Sequence, residues 1–317
     1  MSNFDLAVSF CRSARYLSDK INLKENEVPM YVTDFANKEM LIKYGNSLRG
    51  KDVFIVQSFG SDPNKDLVEL LLASDTAFAA SARRITLVLP LMYGSRQDTK
   101  SGSRTTVTTA TIAKLFKAVE ADRIITASLH SPQSSAAFYA AGLRFDNLST
   151  ANIFYTRMYN MFKEKEFVVV SPDIGGIQKA RFYANLLDTD VAFADKRRYA
   201  KNKSEVMNFV GDVKGRNCFI VDDMIDTAGS TAQVANALED AGAKKIYCLA
   251  THLILSDMAK DRLMCSGIET VLGTDTVYHE NLPEIFEVYT IGNLLNETIT
   301  RIHENKSVGE LYEVFKA

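Results

Sequence analysis

The chain has 317 residues, 46% of them hydrophobic and 24% charged, with a formal net charge of −2. That length accommodates two domains of ordinary size, and the charge balance gives no global case for binding nucleic acid or an anionic membrane. No apolar run is long enough to span a bilayer, the first residues carry no leader pattern, and the four cysteines lack Cys-x-x-Cys spacing. A cytoplasmic protein with reduced thiols and no zinc site is therefore expected.

Along the chain, apolar runs of strand length fall at 53–57, 85–90, 124–129, 167–170, 191–194, 218–221, 246–250 and 288–291. Most are continuous, as in strands buried on both faces. Helical patterns lie between them, clearest at 66–83, 108–121, 177–187, 231–241 and 294–303. This alternation predicts parallel α/β architecture. A polar stretch at 146–152 precedes a helical segment and a fresh series of strands, so the expected division is 1–149 and 150–317, two α/β domains of similar type.

Polar residues gather just past the strands. The run 85–90 leads to Arg96-Gln97-Asp98, the run 124–129 to His130, the run 167–170 to Asp173, and the run 191–194 to Asp195-Lys196-Arg197-Arg198. In open α/β sheets ligands bind beyond the carboxyl ends of strands, so these groups are candidates for one cleft. The most telling segment follows 218–221: Asp222-Asp223-Met224-Ile225-Asp226-Thr227-Ala228-Gly229-Ser230. It reads as a buried strand ending in two carboxylates, then a small-residue loop into a helix. Ser230 to Gln233 has the form of a capping box, and the loop amides with the helix N-terminus are suited to a phosphate. Asp222 and Asp223 suit sugar hydroxyls or a magnesium-bound polyphosphate.

This segment resembles the phosphoribosyl pyrophosphate (PRPP) binding motif. With Phe35-Ala36-Asn37-Lys38-Glu39, Arg49 to Ile55, Tyr93 to Arg104, Leu129-His130, Ser171 to Gly176 and Asp195 to Arg198, the chain resembles the ribose-phosphate pyrophosphokinase (PRPP synthetase) family over nearly its whole length. The resemblance implies two phosphoribosyltransferase-like domains, each a mainly parallel sheet flanked by helices. It implies an ATP site in the first and a ribose-phosphate site and catalytic loop in the second. The implied reaction moves the β,γ-diphosphoryl group of ATP to the anomeric hydroxyl of ribose 5-phosphate, with magnesium, in a homo-oligomer, a hexamer, whose nucleotide lies at a subunit boundary.

Carried onto this sequence, the family's residues are Lys196 and Arg198 as catalytic cations and Phe35, Asn37, Glu39, Arg96, Gln97, Asp98 and His130 around ATP. Asp222, Asp223, Asp226, Thr227, Ala228, Gly229 and Ser230 would hold the ribose phosphate, and His130 and Asp173 the metal. Some members, phage enzymes, use ADP-ribose as acceptor for NAD rebuilding, and a catalytically silent regulatory subunit shares the fold. Departures from the family include Lys38 where glycine is usual, Asn37 for aspartate, Leu253 for proline, and the small residues at 134–137. These small side chains are expected to enlarge the cleft.

Overall fold

The computed structural model describes residues 4–163, 166–197 and 206–315. They divide into two compact units: Met1–Ser149 with Thr276–Tyr278 and Thr290–Ala317, and Thr150–Asp275 with His279–Tyr289. The described residues from Thr290 onward, grouped by the sequence with the second domain, thus cluster with the first.

The first unit runs β1 (Leu6–Phe10), α1 (Ser18–Ile21), β2 (Met30–Asp34), β3 (Met40–Tyr44), β4 (Asp52–Val56), α2 (Pro63–Ala79), β5 (Arg84–Leu89), α3 (Thr108–Ala118), β6 (Arg123–Ala127), α4 (Ser135–Ala140) and β7 (Arg144–Leu148). Strands β1-β4-β5-β6-β7 form a parallel sheet in that order. β2 and β3 form a separate antiparallel hairpin. Helix α2 begins earlier than the periodicity predicts, because Asp62 accepts the Lys65 amide at 3.1 Å and Pro63 opens the first turn. The polar stretch at 146–152 is partly strand, since Asp146 and Asn147 pair with Ile125 and Thr126 of β6.

The second unit continues with α5 (Ala151–Phe162), β8 (Phe167–Ser171), α6 (Ile177–Leu186), β9 (Asp190–Arg197), β10 (Val206–Val210), β11 (Asn217–Ile225), α7 (Gly229–Asp240), β12 (Lys245–Leu253), α8 (Ala259–Met264), β13 (Ile268–Thr274) and β14 (Phe286–Tyr289). Its sheet has the order β10-β9-β8-β11-β12-β13-β14, parallel except for β10. The last strand sits at 286–289, two residues before the predicted run. Strand β11 lies in the middle, and its side chains alternate between two cores. Cys218 and Ile220 pack with Val168, Val170 and Cys248 on one face, and Phe219 and Val221 with Phe167, Val169 and Leu249 on the other. Fully apolar flanks explain the continuous hydrophobic run seen in the sequence.

A last helix, α9 (Gly292–His303), belongs to the first unit. Its buried Leu295, Thr298, Ile299 and Ile302 recur at helical spacing. A Cβ on Gly292 would stand 2.6 Å from the backbone of Lys20, so only glycine admits this approach. At its far end His303 Nδ1 lies 2.9 Å from a carboxylate oxygen of the fully buried Asp52, which Arg84 also grips.

Candidate functional site

The second unit carries the candidate phosphate loop. Strand β11 extends beyond the apolar run to Ile225, which places Asp222 and Asp223 inside its last turn of pleat. Asp223 is buried, and Lys179 of α6 reaches its Oδ1 at 3.2 Å. The Asp222 carboxyl hydrogen-bonds that of Asp223. Burial, then the charge of Asp223, pushes it up to about 7, against the opposing pull of Lys179. Near neutral pH such a pair holds a proton as well as accepting, so it can both donate to and accept from a sugar diol.

After Ile225 the chain turns through Asp226 and Thr227 to Ala228, which sits at φ 60° and immediately precedes α7. Ala228 provides no side-chain cap. This corrects the expected capping box: the helix starts at Gly229, so Ser230 lies within its first turn and is not the residue before it. The first-turn amides of a helix have no intrahelical partner, and the dipole adds partial positive charge at the same point. The N-terminus of this 12-residue helix, reached through a left-handed residue whose side chain gives no cap, has the backbone and dipole character that suits an anion.

The loop is braced from below. Ile254 and Leu255 donate to the Ile225 carbonyl at 2.9 and 3.1 Å, and Ser256 to that of Asp226 at 3.0 Å. Arg262 of α8 donates to the Thr227 carbonyl at 2.6 Å. Neither Lys179 nor Arg262 was singled out by the sequence, since their partners lie 44 and 35 positions away in other elements. Leu253, the departure from the family's proline, is fully buried, and a Cβ on Gly273 of the neighbouring strand would meet it at 2.4 Å. Its side chain thus occupies the space above that glycine.

Asp173 lies exposed after β8, where its Oδ1 accepts the Gly176 amide at 2.9 Å and closes the turn into α6. Lys196 falls within β9, opposite Met207 of β10, so the expected loop begins as a strand and Lys196 is paired into the sheet edge by main-chain register. Arg198 lies outside the described residues.

The first unit presents the other candidate residues. Phe35, Asn37 and Glu39 occupy the tip of the β2–β3 hairpin, and the Phe35 ring is about half exposed at 48%. Phe35 N–H donates to the Glu39 carbonyl at 2.8 Å, Lys38 N–H to the Phe35 carbonyl at 2.9 Å, and Glu39 N–H to Asn37 Oδ1 at 3.2 Å. Lys38 sits at φ 72°, the left-handed region where the family's usual glycine carries no steric cost.

Arg96 and Gln97 are exposed in the loop after β5, and Asp98 Oδ2 accepts from Ser134 at 2.9 Å. A cavity of about 400 Å³ opens here, lined by Asp98, Thr99, Thr109, Ser131, Ser134 and Ala137 among others. Two of the small residues at 134–137 therefore do border open space. His130 is exposed immediately beside it in sequence. Among the described residues no group of three or more His, Cys, Asp or Glu side chains forms a metal cluster, and no helix is long and apolar enough to cross a membrane.

Two family profiles match the chain. One is described as the N-terminal domain of ribose phosphate pyrophosphokinase, over residues 6–119; the other as a phosphoribosyl synthetase-associated domain, over residues 189–313. The ribose-phosphate pyrophosphokinase of Chlorobaculum tepidum is 42% identical over 88% of this chain and 86% of its own length. That of Thermotoga maritima is 38% identical over 94% of both chains. The chain belongs to the ribose-phosphate pyrophosphokinase family. It is accordingly a transferase, and its fold agrees with this family throughout. The crystal structure of phosphoribosylpyrophosphate synthetase from Mycobacterium smegmatis superposes with a TM-score of 0.89 at 33% identity, covering 95% of this chain and 99% of that one.

Proposed function

We propose that the chain transfers the β,γ-diphosphoryl group of ATP to the anomeric hydroxyl of ribose 5-phosphate, giving PRPP and AMP. The observation that carries this reading is the Asp222 to Ser230 segment, where a central buried strand delivers a carboxyl pair and a helix N-terminus within one short stretch. The loop amides of Asp226, Thr227, Ala228, Gly229 and Ser230 hold the acceptor's 5-phosphate, and Asp222 and Asp223 bond its hydroxyls. Phe35 stacks on the base, Asn37 and Glu39 bond its edge, and Arg96, Gln97, Asp98 and His130 contact the nucleotide. Lys196 and Arg198 neutralise charge on the transferring group, the principal demand of displacement at phosphorus.

Magnesium fits this donor set. It keeps several waters and is taken by one or two carboxylates plus substrate phosphates, so a dedicated three-residue cluster is not required. Asp173 offers a hard oxygen donor with one carboxylate oxygen engaged by Gly176. His130, a softer nitrogen donor, serves better as a phosphate contact than as a magnesium ligand. When bound, the ion screens the polyphosphate charge and orients it.

Pure protein given ATP, magnesium and ribose 5-phosphate should release AMP in step with a product of PRPP mass. ATP consumption that yields ADP in place of AMP would exclude diphosphoryl transfer. The relatives are named for ribose-phosphate, and nothing in the fold favours ADP-ribose, which enters the assay as a second acceptor. The family's hexamer, with the nucleotide between subunits, is tested by mixing Phe35→Ala and Lys196→Ala subunits. Recovered activity through hybrid sites supports it, and no recovery after verified exchange places the site within one chain.

A further inference from the structure

The hairpin tip is gripped from outside the hairpin. Arg12 opens the turn that follows β1, and its guanidinium reaches both residues that close the loop 35–39. Nη1 donates to Asp34 Oδ2 at 2.9 Å, and Nη2 lies 3.1 Å from the sulfur of Met40, the register partner of Asp34. A second cation, Lys65 of α2, donates to the same Asp34 oxygen at 3.0 Å. Arg12 is itself fixed, because its Nε and its backbone N–H bond the two carboxylate oxygens of Glu69 at 2.6 and 2.7 Å. Glu69 is 1% exposed, so this end of the chain of contacts is anchored in the core side of α2.

We propose that Arg12 and Asp34 are positioning residues for the nucleotide base, acting as a clamp that holds the Phe35 loop in its binding geometry. The proposal rests on the assignment of Phe35 to the base. A two-stranded hairpin outside a larger sheet is marginal on its own. The strands of this hairpin are packed on the core through Ile42 and through the Tyr44 hydroxyl, which donates to the Ala73 carbonyl at 3.0 Å, so the exposed, charge-assisted contacts of Arg12 and Lys65 act on the tip beyond them. Asp34 directly precedes Phe35, so freedom at Asp34 becomes freedom of the ring. A loop that spends only a fraction of its time competent weakens apparent affinity by that fraction. Release of the clamp should thus raise the KM for ATP and leave the transfer step itself nearly untouched.

The decisive variants are Asp34→Ala, Asp34→Asn and Phe35→Ala. Asp34 is partly exposed, and its removal keeps the Arg12–Glu69 pair, so the fold is retained. Asp34→Ala should raise the KM for ATP roughly tenfold, the effect of a competent fraction near one in ten, with kcat within about threefold and the KM for ribose 5-phosphate unchanged. Trypsin cleavage after Lys38 should accelerate in the same variant. Asp34→Asn, whose amide oxygen still accepts from Arg12, should recover most of both effects.

Unchanged cleavage after Lys38 in Asp34→Ala would overturn the clamp. Faster cleavage with an unchanged KM for ATP, beside a raised KM in Phe35→Ala, would overturn its role in binding while keeping the base assignment. An unchanged KM in Phe35→Ala would instead remove the base assignment and the proposal with it.

Discussion

The two candidate binding loops are supported in opposite ways. The loop at 226–230 grows from β11, which has neighbouring strands on both sides and packed cores on both faces. The loop at 35–39 caps a hairpin outside the main sheet that rests on the core through Ile42 and Tyr44, and its tip is tied down by side chains of Arg12 and Lys65. Each also contains one non-glycine residue in the left-handed region, Ala228 in the first case and Lys38 in the second. A phosphate seat made of backbone amides needs a rigid main chain, which central-strand burial provides. The proposed base clasp, made of side chains, needs a held loop, which hairpin packing on the core and the contacts of Arg12 and Lys65 provide.

The largest expected effect separates chemistry from both loops. Lys196→Ala should lower turnover by roughly two to three orders of magnitude, the scale of losing one preorganised electrostatic contact. Affinities for ATP and ribose 5-phosphate should change little. Wild-type turnover would remove Lys196 from the mechanism, and so would a loss confined to binding.

A steric insult beneath the proposed phosphate loop comes next. Gly273→Ala forces a methyl to 2.4 Å from Leu253, one residue before the segment that braces Ile225. Overpacking of this kind costs about 1–3 kcal/mol, readable as a lower denaturation midpoint, and Gly273→Ala combined with Leu253→Ala should regain part of it. No change in midpoint would show that Leu253 moves aside freely.

The carboxyl pair predicts a pH dependence of definite sign. Asp222 is raised from its ordinary 3.8 to about 7 in the folded protein, so the folded state holds the proton over that range and the unfolded chain does not. The stability it contributes is full below the ordinary value and is lost as pH rises towards about 7. Asp222→Asn should flatten the stability profile over that window. An unaltered slope would show that the pair is not the source.

The smallest effect concerns the hairpin. Lys38→Gly relieves a left-handed side chain and should stabilise by about 1 kcal/mol, seen as a small rise in melting temperature. A fall would mean that the lysine side chain makes a compensating contact.

The central strands were legible because their runs are apolar without interruption: Val53, Phe54, Ile55 and Val56 are all fully buried. The hairpin and β13 were not, since Met30–Asp34 alternates between partial burial and exposure, and β13 (Ile268–Thr274) interrupts its apolar residues with Glu269 and Thr270. The strand-loop-helix of the proposed phosphate site could be read from order alone, yet its helix start was misplaced by a Ser-x-x-Gln spacing that the backbone does not use. Lys179, Arg262 and Arg12 were invisible because their partners are distant in sequence, and no local pattern marks a cation that will meet a carbonyl or carboxylate across the fold.

The return of α9 to the first unit governs the order in which the protein can be made. Residues 150–275 form most of a unit from one continuous stretch, which can close as it emerges. The first unit must wait for Gly292 to settle against Lys20 and for His303 to reach Asp52. At ordinary elongation rates that wait is on the order of ten seconds after β7 has appeared. During synthesis the first unit lacks the helix that closes on Lys20 and partners the buried Asp52, so the N-terminal half is the part of the newborn chain most in need of protection.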